Sequence, residues 1–416
     1  MTHASGKSRK INKEIIWYSA IFIAALALRV HFVINVDYPL MGDGENYLSM
    51  ARRLANGGAY GYLSELPDAY VTPGYPLFLA FFLSLFGESG GLLPIQLGQC
   101  LLGSITAVLC VMIGKRLHSL AAGAMAGLII AVYPPFIMSC LCLLTECLYL
   151  FVFILYFYLQ LISLDPGREY SHSRRILLSG LCGALFALSV LIRPTAFPLA
   201  FLPFLYRLVT ARRHSKREIR IILTEAASFF VCGALVMLPW WVRNILVLGE
   251  FVLLSSGGGN PLLFGTFPDM LIPEGFYLPR EEEMAAAIER IKNGFLNEPL
   301  RYLYWYTAGK FKYIFFNIWY YLPGPVSPPF HNWYLPFVHY FSVVSGWLAA
   351  GFSPLIRPLR FTALYATALT ALQLCFIPNE RYAYTVLPLL IICASVFTVH
   401  CFHLLKRERR IIYPHI

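Results

Sequence analysis

The sequence predicts an all-α integral membrane protein, a single polytopic domain over residues 1–416 with about ten transmembrane helices (roughly 8–12) and amphipathic juxtamembrane helices in the first outside loop. Three observations carry this. Hydrophobic residues make up 58% of the chain and charged residues 13%, where soluble domains have about 45–50% and about 25%. Mean hydropathy is +0.62. The basic residues concentrate in alternate connections between apolar runs, the pattern that orients membrane helices.

The first apolar run, Ile15 to Val36, follows Lys7, Arg9, Lys10 and Lys13. It contains Arg29 and His31 and no small-x-small cleavage site, so it is expected to be an uncleaved anchor with its amino terminus inside. Further apolar runs lie near residues 91 to 113, 120 to 137, 138 to 163, 176 to 192, 194 to 209, 221 to 245, 331 to 354, 361 to 377 and 384 to 404. Alternating from an inside start, the inside connections are 1 to 14, 114 to 119, 164 to 175, 210 to 220, 355 to 360 and 405 to 416. They hold 20 of the 33 Lys and Arg but only five of the 22 acids: Glu14, Asp165, Glu169, Glu218 and Glu408. The formal net charge of +11 is therefore accounted for by topology, and a nucleic-acid partner is not implied.

Gly74 to Phe86 is apolar but too short to cross, and reads as a re-entrant or surface-lying helix. Pro299 to Tyr321, rich in Tyr and Trp but carrying Arg301, Lys310 and Lys312, reads as interfacial. Two long outside segments result, residues 37 to 90 and 246 to 330. Within the second, Arg280 to Phe295 has the spacing of a solvated helix with Gly294 near its end, and Ser255 to Pro261 forms a turn-rich loop. All ten cysteines fall in apolar runs without metal-ligand spacing and are expected to be free thiols. No Walker loop, GxGxxG, HExxH or GxSxG motif occurs.

The informative residues are ionisable groups inside or beside apolar runs, because each is costly at bilayer depth and needs a partner or a cavity. Glu146 lies near the outside end of its run, with Arg29 or Arg193 as candidate helix-to-helix partners. Asp43 opens Gly42-Asp43-Gly44-Glu45-Asn46-Tyr47, ahead of Leu48, Ala51, Leu54 and Ala55 at helical spacing, with Arg52 and Arg53 on another face. An Asp there suits a helix N-cap as well as a catalytic carboxylate. Arg193, Arg243, Lys310 and Arg381 fall at the same outside surface, where basic residues are disfavoured unless paired, and an anion is the simplest common partner. A carboxylate that takes a proton from a hydroxyl, beside guanidinium groups that hold a phosphate, suits glycosyl or phosphoryl transfer from a lipid phosphate.

These residues resemble the GT-C superfamily of polytopic glycosyltransferases, within it the bacterial enzymes akin to protein O-mannosyltransferases and the lipid A aminoarabinose transferase. The similarity rests on an ordered set of short motifs: Leu28-Arg29, GDGENYLSMARRL (Gly42 to Leu54), Thr72-Pro73-Gly74-Tyr75-Pro76-Leu77, Lys115-Arg116-Leu117, Thr145-Glu146, Arg193-Pro194-Thr195, Pro239 to Asn244, Ser255 to Asn260 and Arg381-Tyr382. The resemblance implies inverting transfer of a sugar from a polyprenyl-phosphate donor to a hydroxyl of a protein, lipid or glycan, on the non-cytoplasmic face of a bacterial plasma membrane. It makes Asp43 the general base, Glu146 and Glu45 further acidic groups of the catalytic set, and Arg243, Arg381, Arg193 and Lys310 the donor-phosphate contacts. Where some relatives have KPP or HPP this chain has Thr72-Pro73-Gly74, without the phosphate-binding Lys. No cofactor is required, and Asp43-Gly44-Glu45, similar to a metal-binding DxD, leaves a divalent ion open. The rival from another class is a transporter or flippase of a lipid-linked or anionic solute, which would place its charges near the midplane within a repeat; no repeat is apparent here. Convergence of Asp43 and Glu146 at one surface separates the two.

Overall fold

The computed structural model describes the backbone of residues 2–62, 64–87, 90–165, 170–211, 215–320 and 333–412, with side chains from 13 to 406 within those ranges. The described residues are all-helical, without strands. Residues 321–330 of the second outside segment, with Tyr321, lie outside this description. So do the side chains of Lys7, Arg9, Lys10, Arg168, Glu169, Arg212, Arg213, Arg407, Glu408, Arg409 and Arg410 from the basic connections.

Among the described residues, six helices are long and apolar enough to cross a membrane. They are α1 (Thr2–Asn35), α4 (Leu93–Leu117), α7 (Glu146–Ser163), α8 (His172–Ile192), α10 (Lys216–Leu248) and α17 (Glu380–Ile412). The other expected runs are helical but shorter or broken. Residues 120 to 137 fold as α5 (Leu120–Val132) and α6 (Pro134–Met138), divided at Tyr133 because two consecutive prolines cannot continue the hydrogen-bond ladder. Residues 194 to 209 begin as a 3-10 turn at Pro194–Phe201 and continue as α9 (Leu202–Thr210). α15 (Tyr334–Gly351) and α16 (Arg360–Gln373) complete the bundle. Among its main packed pairs are α8 with α10, α4 with α5, α15 with α17, and α7 with α4 and α8.

The up-and-down course is fixed by ion pairs where α1 begins. Lys115 meets Glu14 at 2.5 Å, Arg116 meets Asp165 at 2.6 Å, and the buried Glu225 lies between Arg175 and Arg207. Lys115, Arg116 and Arg175 of the expected basic connections are thus paired at that end. The remaining helices lie toward the other: α2 (Asp43–Ala55) and α3 (Gly74–Phe86), which pack together, then α11 (Gly259–Phe264), α12 (Arg280–Asn297), α13 (Pro299–Tyr304) and α14 (Lys310–Phe316). Of the face that its helical spacing predicts, α2 buries Leu48 and Ala51 and half-buries Leu54 and Ala55, and it also buries Tyr47 and Met50. Seven of the ten free cysteines are buried, Cys232 and Cys401 are half-buried, and Cys375 is exposed.

Between α6 and α7 the chain runs irregularly through Ser139 to Thr145 while fully enclosed except at Leu144. In a bilayer such backbone survives only where protein groups satisfy it. α4 supplies them: the Gln99 amide donates to the carbonyls of Cys140 and Cys142 at 3.0 Å each, Gln96 donates to Leu141 at 3.0 Å, and Tyr75 fixes Gln99 through its Oε1. Arg29, with no exposure, does the same for the end of α5, donating to the Ile130 and Ala131 carbonyls at 3.1 Å and also to Ala25 on its own helix. It thus caps a broken helix and leaves Glu146 to Arg193.

Candidate active site

Asp43 is the first residue of α2, but its carboxylate does not cap the helix. Gly42, at φ 57, takes the N-cap position without a side-chain bond, and the Asp43 side chain is free for other partners. Its Oδ1 accepts from the Tyr62 hydroxyl at 2.7 Å and its Oδ2 from Arg381 Nη1 at 3.0 Å. The side chain is 49% exposed, so a solute can reach it.

Glu146 is the first residue of α7 and has no exposure. Its position at a helix N-terminus favours the negative charge. Its Oε1 accepts from Arg193 Nη1 and from Arg381 Nε, and its Oε2 from Arg381 Nη2 at 3.3 Å. Thr145 adds its hydroxyl, which donates to Oε2 at 3.3 Å and accepts from Arg193 at 3.1 Å. Arg193 is the C-cap of α8; its extended backbone (φ −141, ψ 111) ends the helix ahead of Pro194 and turns the side chain into the cluster. Tyr382 lies under its guanidinium, 5.7 Å from the ring centroid. Gly74 explains why the Thr72-Pro73-Gly74 site carries no larger residue. A Cβ there would lie 2.7 Å from Ile192 and 2.8 Å from the Leu191 carbonyl, so α3 seats against the end of α8 just before Arg193.

Four residues from four helices thus form one cluster: Asp43, Glu146, Arg193 and Arg381. Arg381 joins the two carboxylates, and the formal charges of the four sum to zero.

The expected phosphate contacts Arg243 and Lys310 are not drawn into this cluster. Arg243 donates to the Asp68 carbonyl at 2.7 Å and the Tyr60 carbonyl at 2.9 Å, and lies over the rings of Tyr60 and Trp240 at 5.0 and 5.4 Å. It holds the 60–70 loop. Lys310 is buried, with Nζ 2.9 Å from the Leu374 carbonyl at the end of α16 and 3.7 Å from the Tyr306 ring centroid. It forms no ion pair among the described residues, and burial pushes its ammonium down to about 7. Glu45 is exposed, two residues from Asp43 on α2. Positions i and i+2 do not face each other on a helix, so Asp43 and Glu45 do not form a chelating pair.

A metal site does not emerge from the donors present. No group of three or more His, Cys, Asp or Glu placed to hold an ion occurs among the described residues, and the carboxylate oxygens of Asp43 and Glu146 already face guanidinium or hydroxyl donors.

Sequence reasoning missed Tyr62. It sits on the loop after α2, and its contact with Asp43, 19 residues away, spans a stretch that no local periodicity covers. Its phenol is held well above the usual tyrosine range, by burial first and then by Tyr47 and Asp43, so it remains a donor.

Known proteins resemble this chain in part of its sequence and in its fold. The family described as dolichyl-phosphate-mannose-protein mannosyltransferase matches residues 70–240. No curated protein matches the chain in sequence. Among solved structures, the oligosaccharyltransferase of Archaeoglobus fulgidus in complex with Zn and sulfate aligns at TM-score 0.59 and 13% identity, covering 95% of this chain and 50% of that one. The archaeal oligosaccharyltransferase AglB from Archaeoglobus fulgidus, in complex with an inhibitory peptide and a dolichol-phosphate, aligns at 0.54 and 15% identity, covering 95% and 52%. The chain therefore spans about half the length of the oligosaccharyltransferases whose fold it shares. ArnT from Cupriavidus metallidurans bound to undecaprenyl phosphate aligns at 0.40 and 14% identity, over 91% of this chain and 77% of that one. Part of the chain thus matches a mannosyltransferase family in sequence, and nearly all of it shares the fold of the oligosaccharyltransferases.

Proposed function

We propose that this multi-pass membrane protein is an inverting glycosyltransferase that moves a sugar from a polyprenyl-phosphate donor to an acceptor hydroxyl. The observation that carries the reading is the sharing of Arg381 between Asp43 and Glu146 at one end of the bundle. In this reading Asp43 Oδ2 takes the acceptor hydroxyl proton as its oxygen attacks the anomeric carbon from the face opposite the phosphate. The bond from that carbon to the phosphate oxygen breaks, and its electron pair stays on the polyprenyl phosphate. Arg381 turns Nη1 to the phosphate and offsets that charge. Glu146 holds Arg193 and Arg381 in place, and no step is assigned to a metal.

The basic side chains Lys115 and Arg116 lie at the end away from the cluster, which supports a site on the non-cytoplasmic face; the location in this reading is a bacterial inner membrane. The apolar groove for the lipid tail would lie among the helices around Arg193 and Arg381. The outside segments 37–90 and 246–330 would receive the acceptor.

The test is purified protein in lipid vesicles with a panel of radiolabelled polyprenyl-phosphate sugars, scored for donor consumption. The wild type should consume at least one donor, and Asp43→Asn should be slower by about 10²–10⁴-fold with donor binding retained. Full turnover by Asp43→Asn would remove the base assignment. Movement of intact donor across the vesicle without cleavage would replace transfer by transport.

A further inference from the structure

Asp43 is held from two directions, and only one of the two contacts is free to leave. Arg381 commits Nε and Nη2 to Glu146, so Nη1 is the arm it lends to Asp43. Under the proposed reading that arm turns to the donor phosphate and bares Oδ2. The other contact, from Tyr62 to Oδ1 at 2.7 Å, belongs to a loop that further hydrogen bonds hold at residues 60–62 and 68–71. The Asp68 carboxylate accepts from the backbone amides of Tyr62 at 2.8 Å and Tyr70 at 3.0 Å. Arg53 donates to the Gly61 carbonyl, and Arg243 to those of Tyr60 and Asp68.

The second outside segment adds a further tie, since the amides of Ser256 and Gly257 donate to the carbonyls of Ala69 and Tyr70 at 2.8 and 3.1 Å. Gly257 permits this approach; a Cβ there would lie 2.5 Å from the Tyr70 carbonyl oxygen. The Tyr62 ring is 6% exposed and fixed between Tyr47 and Tyr70, with centroids 5.5 and 5.4 Å away. A hydroxyl on so fixed a ring sets the rotation of the carboxylate that it bonds.

We propose that Tyr62 is a positioning residue for the reaction: its hydroxyl holds Asp43 Oδ1 so that Oδ2 alone faces the acceptor when Arg381 turns to the phosphate. This rests on the reading of Asp43 as the base. A purely structural role would reside in the ring, whereas the positioning role resides in the hydroxyl. Tyr62→Phe separates them, because it keeps the ring packing and deletes the bond.

The experiment compares wild type, Tyr62→Phe, Asp43→Asn and the double variant in the vesicle assay, with apparent Tm recorded for each. Tyr62→Phe is expected to lower kcat by about 10–100-fold, in keeping with the cost of a misplaced catalytic group. Its donor KM should stay within about twofold and its apparent Tm should match the wild type. In the double variant, loss of the tyrosine hydroxyl should cost nothing beyond Asp43→Asn, because Tyr62 acts through that carboxylate. Wild-type kcat in Tyr62→Phe, a change confined to KM or to Tm, or multiplicative losses in the double variant would overturn the assignment. Full activity in Asp43→Asn would instead remove the reading on which it rests, while an inactive Asp43→Asn beside a normal Tyr62→Phe would remove the Tyr62 assignment alone.

Discussion

The buried half of the cluster makes a quantitative prediction. Glu146 has no exposure and accepts from Arg193 and twice from Arg381. Glu146→Gln keeps the shape but turns an amide NH2 toward guanidinium donors, and the cluster passes from neutral to one net positive charge. Hydrogen bonds to charged groups contribute about 1.5–3 kcal/mol each. Removing one partner of a buried ion pair costs about 3–5 kcal/mol in all, since such losses are not additive.

Asp43 still balances Arg381 in this variant, so the uncompensated charge falls on Arg193, whose side chain is 10% exposed. Arg193→Leu on top of Glu146→Gln removes that charge. The double variant should recover at least half of the loss, because replacing a buried pair by apolar groups is often neutral. Reversible unfolding in mixed detergent micelles, followed by tryptophan fluorescence for wild type, both single variants and the double, gives the coupling energy. A Glu146→Gln cost below about 1 kcal/mol, or a double variant that loses the sum of the singles, would refute the idea that these charges hold one another at the site.

Lys310 gives a pH dependence. Its ammonium titrates at about 7 in the folded protein and near the ordinary lysine value when unfolded, so between those pH values the unfolded chain binds the extra proton and stability rises with pH. Apparent Tm should climb from pH 7 toward pH 10 by the equivalent of a few kcal/mol, and Lys310→Met should flatten the climb; a wild type without it would refute the buried-cation assignment. Gln99→Leu deprives the carbonyls of Cys140 and Cys142 of their donor, at about 1–3 kcal/mol for each group left unpaired, and should loosen the chain that leads into Glu146. Hydrogen exchange over residues 139–145 reads this, and wild-type protection would contradict it.

Much of the architecture is legible because a bilayer penalises charge so heavily that spans, basic connections and intramembrane ionisable groups all leave marks in the sequence. That logic brought Asp43, Glu146, Arg193 and Arg381 together before any geometry. It also put forward Arg243 and Lys310, which the structure spends on backbone carbonyls. A cation at a membrane surface can be satisfied by an anion or by the carbonyls at a helix end or in a loop, and a residue type does not distinguish these. The same limit hid the division of residues 120 to 137: Tyr133-Pro134-Pro135 marks the break, but the glutamines and Arg29 that make it tolerable come from other helices. Tyr62 was out of reach for a related reason, because its value lies in a single long-range bond and its loop has no period.

The neutrality of the cluster bears on how a lipid phosphate would be held. Two carboxylates and two guanidinium groups cancel, so the resting site is not an anion trap of the kind that a ring of unpaired arginines would make. A phosphate that enters adds negative charge where none is in excess, and it must win Arg381 Nη1 from Asp43 to be bound. Glu146 cannot yield its share as readily, since it is fully buried and would be left with unpaired oxygens. Under the proposed function, competition would therefore fall on the half-exposed carboxylate, and binding of the donor would release Asp43 Oδ2. An exposed base kept paired until the leaving group is seated would not act on stray hydroxyls in the absence of donor. Under the proposed function the order of events, phosphate first and proton transfer second, would follow from which of the two acids is exposed.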